Sequence, residues 1–389
     1  MSTAPATAPS FKTQLSYREL WALAYPIIAG GIGTNIVNVT DTAFLGRVSE
    51  VALGAAALGG ILYYLMAIVA IASATGLQIL IARRMGEGKP QAVGSILDHG
   101  LLINLALGLV LMGVLYATTG PLLTLAVSSP AVREATQTYL YGRGWGLPFI
   151  FLFWTFRGFY SGAGRPRVLI VATFTMAAVN VVLDYGLIFG HWGLPQWGVY
   201  GAGFASACAE ATEALVPLAF FIFRGLPRQY AALRFRGMSW GPVRQLAVLS
   251  GPMVLQNALS MAAWFLFFVV MEHLGERQLA ASNLARSLYM VAMIPGWGFA
   301  VAANTAVSNV IGQGKPEWVL MATRRTLALT FGFLAVLALL LLLLPGPLLR
   351  IYTQDADLIA ETLPILNVVV VALLCFGWGM IPLNAVMGT

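Results

Sequence analysis

Hydrophobic residues form long, almost uninterrupted segments along nearly the whole chain. Ten segments reach about 20 residues or more, the length that crosses the hydrocarbon core of a membrane as a helix. In lipid the backbone N–H and C=O groups must bond within each segment, so the pattern predicts helices rather than open strands. The sequence therefore predicts an all-α polytopic membrane protein with ten spans, at approximately residues 18–46, 51–82, 93–118, 134–160, 166–190, 200–224, 244–272, 277–310, 320–345 and 360–386.

Composition supports a membrane location. The chain is 59% hydrophobic and 10% charged, whereas a soluble domain carries about 25% charged residues. The two cysteines, Cys208 and Cys375, lie in predicted spans without a CxxC neighbour, which argues against a redox or metal site. We expect no cofactor apart from a coupling ion.

The basic residues are distributed unevenly between the predicted loops. Most of the 22 basic residues fall in the N-terminal segment or in the loops on the same side of the membrane, including the stretch RGLPRQYAALRFRG at 224–237. This asymmetry places the N-terminus in the cytoplasm. We expect the protein to lie in the cell (inner) membrane. The net charge of +7 therefore indicates topology rather than a nucleic-acid partner. Residues 1–12 are expected to be a disordered cytoplasmic tail.

Two halves of the chain share sequence at one fixed offset. RRMGEGKPQ at 83–91 corresponds to NVIGQGKPE at 309–317, and at the same offset Pro26 corresponds to Pro252. A unit of six spans is an even number, so the two copies would insert in parallel. We expect an N-lobe at 13–225, a cytoplasmic linker at 226–240 and a C-lobe at 241–389. A full second copy would reach about residue 450, so we expect the second repeat to be truncated and the chain to be a fragment.

Six short motifs occur along the chain: P-I-I (26–28), D-T-A-F-L-G (41–46), G-E-G-K-P (86–90), R-G-F-Y-S-G-A-G-R-P-R (157–167), N-V-V-L-D (180–184) and I-P-G-W-G-F-A-V-A-A (294–303). In this order and spacing they resemble the multidrug and toxic compound extrusion (MATE) family, within the superfamily that includes lipid-linked oligosaccharide flippases. The acids and asparagine in spans one and five most resemble its DinF-type branch. The resemblance implies two six-helix lobes around a V-shaped cleft, and drug export by alternating access driven by a proton or sodium gradient.

Acidic residues inside predicted spans are the strongest functional signal. Asn38 and Asp41 share a helical face with Thr34, and Asn180 shares one with Asp184. A buried ionised carboxylate is costly, so it takes a proton or a cation, and asparagine carbonyls can add ligands. The alternative is that each acid only bonds a helix end or lies at the interface. The predicted ion-coupling residues are Asp41, Asp184, Asn180, Asn38 and Tyr139, with Na⁺ possible at Asp41, Asp184 and Asn180.

The second half lacks a comparable set of acids. Span seven has no acid before Glu272, and span ten has none past Leu363, which places ion coupling in the N-lobe. Tyr139 could instead be an interfacial aromatic. Arg143 could pair with a span acid or extend to the outer interface.

Substrate contacts are predicted from flexible and acidic side chains in the spans. Thioethers suit promiscuous binding surfaces, and carboxylates attract cationic amphipathic compounds. The predicted cleft residues are Glu210, Met176, Met253 and Met261. Pro26 in span one is a predicted hinge, although a static kink is the alternative.

Other classes of membrane protein fit less well. No HExxH, GxGD or GxSxG motif is present, and the three histidines are scattered, so an enzyme is not expected. A channel would normally carry a filter or pore-ring motif. A flippase for lipid-linked oligosaccharides stays open as the alternative, although it would need more cationic residues in the spans than Arg143 and Arg286. We expect a monomer in the bilayer that transports small amphipathic molecules.

Overall fold

The structure, a computed structural model, describes the backbone of residues 15–235, 239–353 and 355–389, with all of their side chains except eight between residues 265 and 279. The tail predicted for residues 1–12 lies outside the described residues. Every regular element in the described ranges is helical, which confirms the all-α prediction. The helices are α1 Tyr17–Val48, α2 Glu50–Gly86, α3 Pro90–Ala126, α4 Pro130–Arg143, α5 Leu147–Gly162, α6 Arg167–Phe189, α7 Gly198–Phe223, α8 Leu226–Tyr230, α9 Trp240–Leu274, α10 Glu276–Gly312, α11 Val319–Leu343, α12 Pro345–Arg350 and α13 Ala356–Gly388.

Nine helices in the described part of the chain are long and apolar enough to cross a membrane. They correspond to nine of the ten predicted spans. The fourth predicted span, 134–160, is not one regular helix. It consists of α4 and α5, joined by a 3₁₀ turn at Gly144–Gly146.

The interruption between α4 and α5 follows from its local sequence. Pro148 has no backbone N–H, so it cannot donate to the carbonyl of Gly144 as an α-helix requires. The N–H of Leu147 donates to that carbonyl instead, which gives the tighter i to i+3 spacing of a 3₁₀ turn. Glycines at 142, 144 and 146 lower the helix propensity of the same stretch.

Helix boundaries repeat at the offset seen in the sequence. Helix α2 runs from Glu50 to Gly86 and α10 from Glu276 to Gly312, so both ends are displaced by the same interval as the sequence motifs. The shared G-x-G-K-P turn after each helix holds Gly88 and Gly314 at φ values of 69° and 68°. Such left-handed conformations favour glycine, so the motif marks a backbone requirement in both halves.

Helix α13 is the counterpart of the interrupted α4–α5 segment. At the repeat offset its ends, Ala356 and Gly388, correspond to Pro130 and Gly162. The positions that correspond to Gly144, Gly146 and Pro148 are Val370, Ala372 and Leu374. These three residues can keep their helical N–H bonds, and α13 is continuous across them. The break is therefore specific to the first half.

The chain divides into two compact units, and the second unit combines residues from both ends of the chain. Unit 1 contains Ala29–Val254. Unit 2 contains Leu255–Thr389 together with described residues up to Ile28. Helices α1 and α9 each contribute to both units, so the predicted N-lobe and C-lobe do not have the boundaries of these units. The unit 1 core includes Tyr63, Tyr139 and Phe151, and the unit 2 core includes Met293, Leu334 and Leu373.

The predicted linker begins as an ordered part of unit 1. The carboxylate of Asp98 in α3 accepts backbone N–H bonds from Leu233, Arg234 and Phe235 at 2.6, 3.0 and 3.1 Å. Leu233 and Phe235 have positive φ angles of 57° and 46°, so successive N–H groups converge on one anion. Tyr230 packs edge-on against Phe159 at 5.2 Å. The chain is thus attached to unit 1 as far as Phe235.

Candidate ion-coupling site

Helices α1, α6 and α7 meet in unit 1 through small and apolar side chains. Val37 of α1 packs with Met176 and Ala177 of α6 and with Ala209 of α7. A Cβ atom at Gly33 would lie 2.9 Å from Thr173 Cγ2, so a glycine is needed for this approach of α1 to α6. This packing brings the polar residues of the three helices together.

The Asp41 site consists of Asp41, Asn180, Asp184 and Ser206. Asn180 Nδ2 donates to Ser206 Oγ at 3.4 Å, and Ser206 Oγ donates to Asp41 Oδ2 at 3.4 Å. Asn180 and Asp184 are completely buried. The carboxyl group of Asp184 lies within electrostatic reach of Asp41 and of Arg143 in α4. The structure therefore brings together three of the residues predicted for ion coupling.

Four buried oxygen atoms at this site have no hydrogen-bond partner among the described residues. They are Asp41 Oδ1, Asn180 Oδ1 and both carboxyl oxygens of Asp184. Buried polar atoms are nearly always bonded, and an ionised carboxylate without a donor is particularly unfavourable. A proton on one carboxyl group would supply a donor, and a hard cation would use the same oxygens as ligands. The donor set therefore fits H⁺ or Na⁺.

A second polar cluster, the Glu210 network, lies beside the Asp41 site. Arg143 Nη2 is 2.8 Å from Glu210 Oε1, and the hydroxyl of Tyr63 donates to Glu210 Oε2. The guanidinium carbon of Arg143 lies 4.6 Å from the centre of the Tyr63 ring. Of the two sequence-based alternatives for Arg143, the structure shows pairing with a span acid. Tyr139 is buried and within electrostatic reach of Asp41, Asp184 and Glu210.

The break between α4 and α5 makes room for the Glu210 network. A Cβ atom at Gly146, in the 3₁₀ turn, would collide with Glu210 Oε2 and would lie 2.8 Å from the Tyr63 hydroxyl. One helical turn away, a Cβ at Gly142 would clash with backbone atoms of α7, including Phe204 N at 2.9 Å. The glycines that weaken the helix therefore also allow it to approach the acids of α7.

Other predicted site residues have different surroundings. Asn38 is exposed, and its carbonyl accepts a hydrogen bond from Thr42 at 2.7 Å, but none of the described hydrogen bonds joins its side chain to the acids. Met176 and Met253 are buried, whereas Met261 is partly exposed. Pro26 lies inside the continuous helix α1.

Sequence reasoning missed Tyr63 and Ser206. Ser206 and Glu210 are spaced i, i+4 on α7, so the helical pattern already placed the serine on the face of a span acid. Tyr63 had no comparable signal, because its role depends on the approach of α2 to α7.

In the part of the chain that the structure describes, the second half does not repeat the polar pair of Asn38 and Asp41. At the repeat offset, Asn38 and Asp41 correspond to Trp264 and Phe267. Those two rings pack edge-to-face at 5.9 Å. The fold and the site together define a multi-pass membrane protein with buried, unsatisfied acids in one of two related halves.

Comparison with known proteins identifies the family. The MatE family model matches residues 26–186 and 252–387, and the chain belongs to this family. The starts of the two matched stretches, Pro26 and Pro252, are the pair of prolines that the repeat already relates. The resemblance to the MATE family is thereby confirmed, whereas the assignment to its DinF-type branch stays a prediction.

Several relatives are named as multidrug resistance proteins. The probable multidrug resistance protein NorM of Thermotoga maritima is 25% identical over 345 residues, which cover 88% of this chain and 73% of that protein. NorM of Rhodopseudomonas palustris is 28% identical over 364 residues, 92% of this chain and 75% of the relative. The multidrug resistance protein PmpM of Pseudomonas aeruginosa is 26% identical over 347 residues, with coverage of 88% and 72%.

Solved structures share the fold. A crystal structure of MATE in the straight conformation matches with a TM-score of 0.88 at 20% identity, over 96% of this chain and 82% of that chain. A MOP superfamily transporter from Pyrococcus furiosus, described as having a binding pocket of reverse polarity, matches with a TM-score of 0.86 at the same identity and coverage.

Proposed function

We propose that the protein is a secondary antiporter that exports cationic or amphipathic compounds in exchange for H⁺ or Na⁺ by alternating access. The observation that carries the proposal is the set of unsatisfied oxygen atoms at Asp41, Asn180 and Asp184. Intramembrane carboxyl groups mark ion pathways in transporters. The multidrug names of the relatives support small amphipathic molecules as the exported class.

Ion binding at the Asp41 site would change its hydrogen bonding. An ionised Asp41 accepts from Ser206, whereas a protonated carboxyl group can also donate. The same change would alter the negative charge that attracts a cationic substrate. Competition between ion and substrate for that charge would be sufficient for exchange.

The flippase alternative is not favoured. A lipid-linked pyrophosphate would need accessible cationic groups inside the protein. Arg143 is bonded to Glu210 at 2.8 Å, and the relatives reported above are named for multidrug resistance.

For orientation we propose a cytoplasmic N-terminus in the inner membrane. Exposed basic residues follow α2, begin α6 and continue after α7, at Lys89, Arg167, Arg224 and Arg228. These are the ends that the positive-inside rule assigns to the cytoplasm. We also propose that the protein acts as a monomer.

The test is gradient-driven transport in proteoliposomes that contain a fluorescent organic cation. Wild-type protein is expected to move the cation when a pH gradient or a sodium gradient is imposed. Asp41→Asn and Asp184→Asn should reduce that transport at least tenfold at equal reconstitution. Glu361→Gln is the matched control, because Glu361 forms an exposed pair with Arg277 in unit 2. Transport by both aspartate variants at the wild-type rate would contradict the proposal.

A further inference from the structure

We propose that Glu213 is a second proton-binding site in unit 1, distinct from the Asp41 site, and that it takes up and releases a proton during the transport cycle. This inference rests on the proposed antiport and adds a second titratable position to it. Glu213 is buried in α7, and Thr173 Oγ1 of α6 donates to its Oε1 at 2.8 Å.

Glu213 and Glu210 have hydrogen-bond partners that differ in the protonation states they accommodate. Arg143 can only donate hydrogen bonds and is always charged, so its contact with Glu210 favours the ionised form of that carboxyl group. A threonine hydroxyl can donate to a carboxylate and can also accept from a protonated carboxyl group. Thr173 therefore suits both protonation states of Glu213 without a change of partner. Among the described ion pairs, Glu210 takes part in one and Glu213 in none.

Charged groups near Glu213 come from two helices. Arg157 of α5 and Glu210 of α7 lie within electrostatic reach of it. The guanidinium of Arg157 stacks 4.2 Å from the centre of the Trp154 ring. Its charge therefore acts on Glu213 at long range, and none of the described ion pairs joins the two residues. Helix α6 contributes the uncharged Thr173. The charge of Arg143 in α4 is paired with Glu210 rather than with Glu213.

The Glu213 contact is the second of two polar bridges between α6 and α7. The first joins Asn180 to Ser206 in the Asp41 site. Thr173 lies seven residues before Asn180, and Glu213 lies seven residues after Ser206. Seven residues rise about 10 Å along a helix, so the two bridges are stacked at different depths of the same antiparallel pair.

The backbone of α7 is weakened at Glu213. Pro217 lies inside α7 and has no N–H to donate to the carbonyl of Glu213 four residues earlier. Tyr160 donates its hydroxyl to the carbonyl of Pro217 at 2.8 Å, which ties this part of α7 to α5. A change of charge on Glu213 thus occurs where α7 deforms most easily, two turns from Ser206.

Infrared difference spectroscopy of reconstituted full-length protein after a pH jump tests this inference. A carboxyl group that changes protonation contributes a C=O stretching band. Every acid that titrates contributes such a band. The band assigned to Glu213 is the one that remains in Asp41→Asn/Asp184→Asn protein and disappears when Glu213→Gln is added. Thr173→Val keeps the carboxyl group and should shift the frequency of the band, because the hydrogen bond is lost. Thr212→Val is the control and should leave the frequency of the band unchanged, because the Thr212 hydroxyl donates to the carbonyl of Cys208 and not to Glu213.

The outcomes separate this inference from the proposed function. Absence of the band in the double aspartate variant, or its persistence unchanged after Glu213→Gln, would overturn the second site. If Glu213→Gln does not fold, an unshifted band in Thr173→Val would overturn it equally. These spectra need no drug transport, so a failure of gradient-driven export would remove the antiport proposal while the band still reports on Glu213.

Discussion

Arg143 Nη2 lies 2.8 Å from Glu210 Oε1, which joins a cation of α4 to an acid of α7 beside the Asp41 site. Arg143 is also within electrostatic reach of Asp184. Without Glu210, the guanidinium could pair with the aspartates and take the place of a coupling ion. On the proposed mechanism, the Arg143–Glu210 pair therefore keeps the oxygen atoms of Asp184 available to the coupling ion.

Glu210→Gln should impair ion coupling although the Asp41 site is unaltered. The variant leaves a buried arginine without its carboxylate, and the nearby aspartates become its best partners. We expect at least a tenfold loss of gradient-driven transport in proteoliposomes. Arg143→Gln/Glu210→Gln should recover part of the loss, because the competing cation is gone. Wild-type transport by the single variant would show that Arg143 does not compete for the site.

Asp98→Asn should loosen the segment after α8. An asparagine offers one acceptor oxygen in place of two and carries no charge, while three backbone N–H groups converge on this position. Hydrogen bonds to charged groups contribute about 1.5–3 kcal/mol each. Limited trypsin digestion should therefore cleave after Arg234 at least tenfold faster in the variant, with Glu361→Gln as the control. An unchanged cleavage rate would mean that Asp98 does not hold the segment.

Gly203→Ala should destabilise the contact between α4 and α7. A Cβ atom at Gly203 would overlap the carbonyl oxygen of Tyr139 and lie 2.8 Å from Arg143 N. Overpacking of this kind costs about 1–3 kcal/mol, which should lower the Tm in detergent. Gly54→Ala is the matched control, because nothing lies within 4 Å of the added atom. Equal Tm values for the two variants would contradict the close packing.

Pro26→Ala should uncouple drug release from pH more strongly than Pro252→Ala. Each proline lies within three residues of the point where its helix passes from one compact unit to the other. Each also leaves a carbonyl without its helical donor, at Ala22 and Val248. Of these two helices, α1 carries an acid of the Asp41 site, and α9 does not contribute to that site. Stopped-flow drug release from proteoliposomes after a pH jump compares the two, and equal effects would mean that the prolines serve packing alone.

Sequence patterns were sufficient to locate the spans because long apolar segments determine transmembrane helices almost independently of tertiary structure. The repeat offset likewise followed from local motifs such as the turn at Gly88. The interruption of the fourth span was missed, although the glycines and Pro148 that cause it are visible in the sequence. Proline and glycine are frequent in intact membrane helices, so their presence does not by itself indicate a break.

The acids of the site were predictable for a different reason. Charged residues inside apolar segments are expensive and stand out, which identified Asp41 and Asp184. Their partners are ordinary residues whose roles depend on how helices rotate against each other. Asn38 was assigned to the site by spacing, whereas the structure shows its side chain exposed. Ser206 occupies the bridging position instead.

Displacement of a bound drug by the coupling ion tests the central claim most directly. Binding of a fluorescent organic cation to purified protein is measured at equilibrium while pH is lowered, and in a parallel series while Na⁺ is added at constant pH. Wild-type protein should release the drug in at least one series. The Glu361→Gln control should release it at the same ion concentration as wild type. Asp41→Asn/Asp184→Asn protein should bind the drug more weakly, because the attracting charge is gone, and neither ion should release the drug that it does bind. Release from the double variant at the same ion concentration as from wild type would show that the coupling ion binds elsewhere.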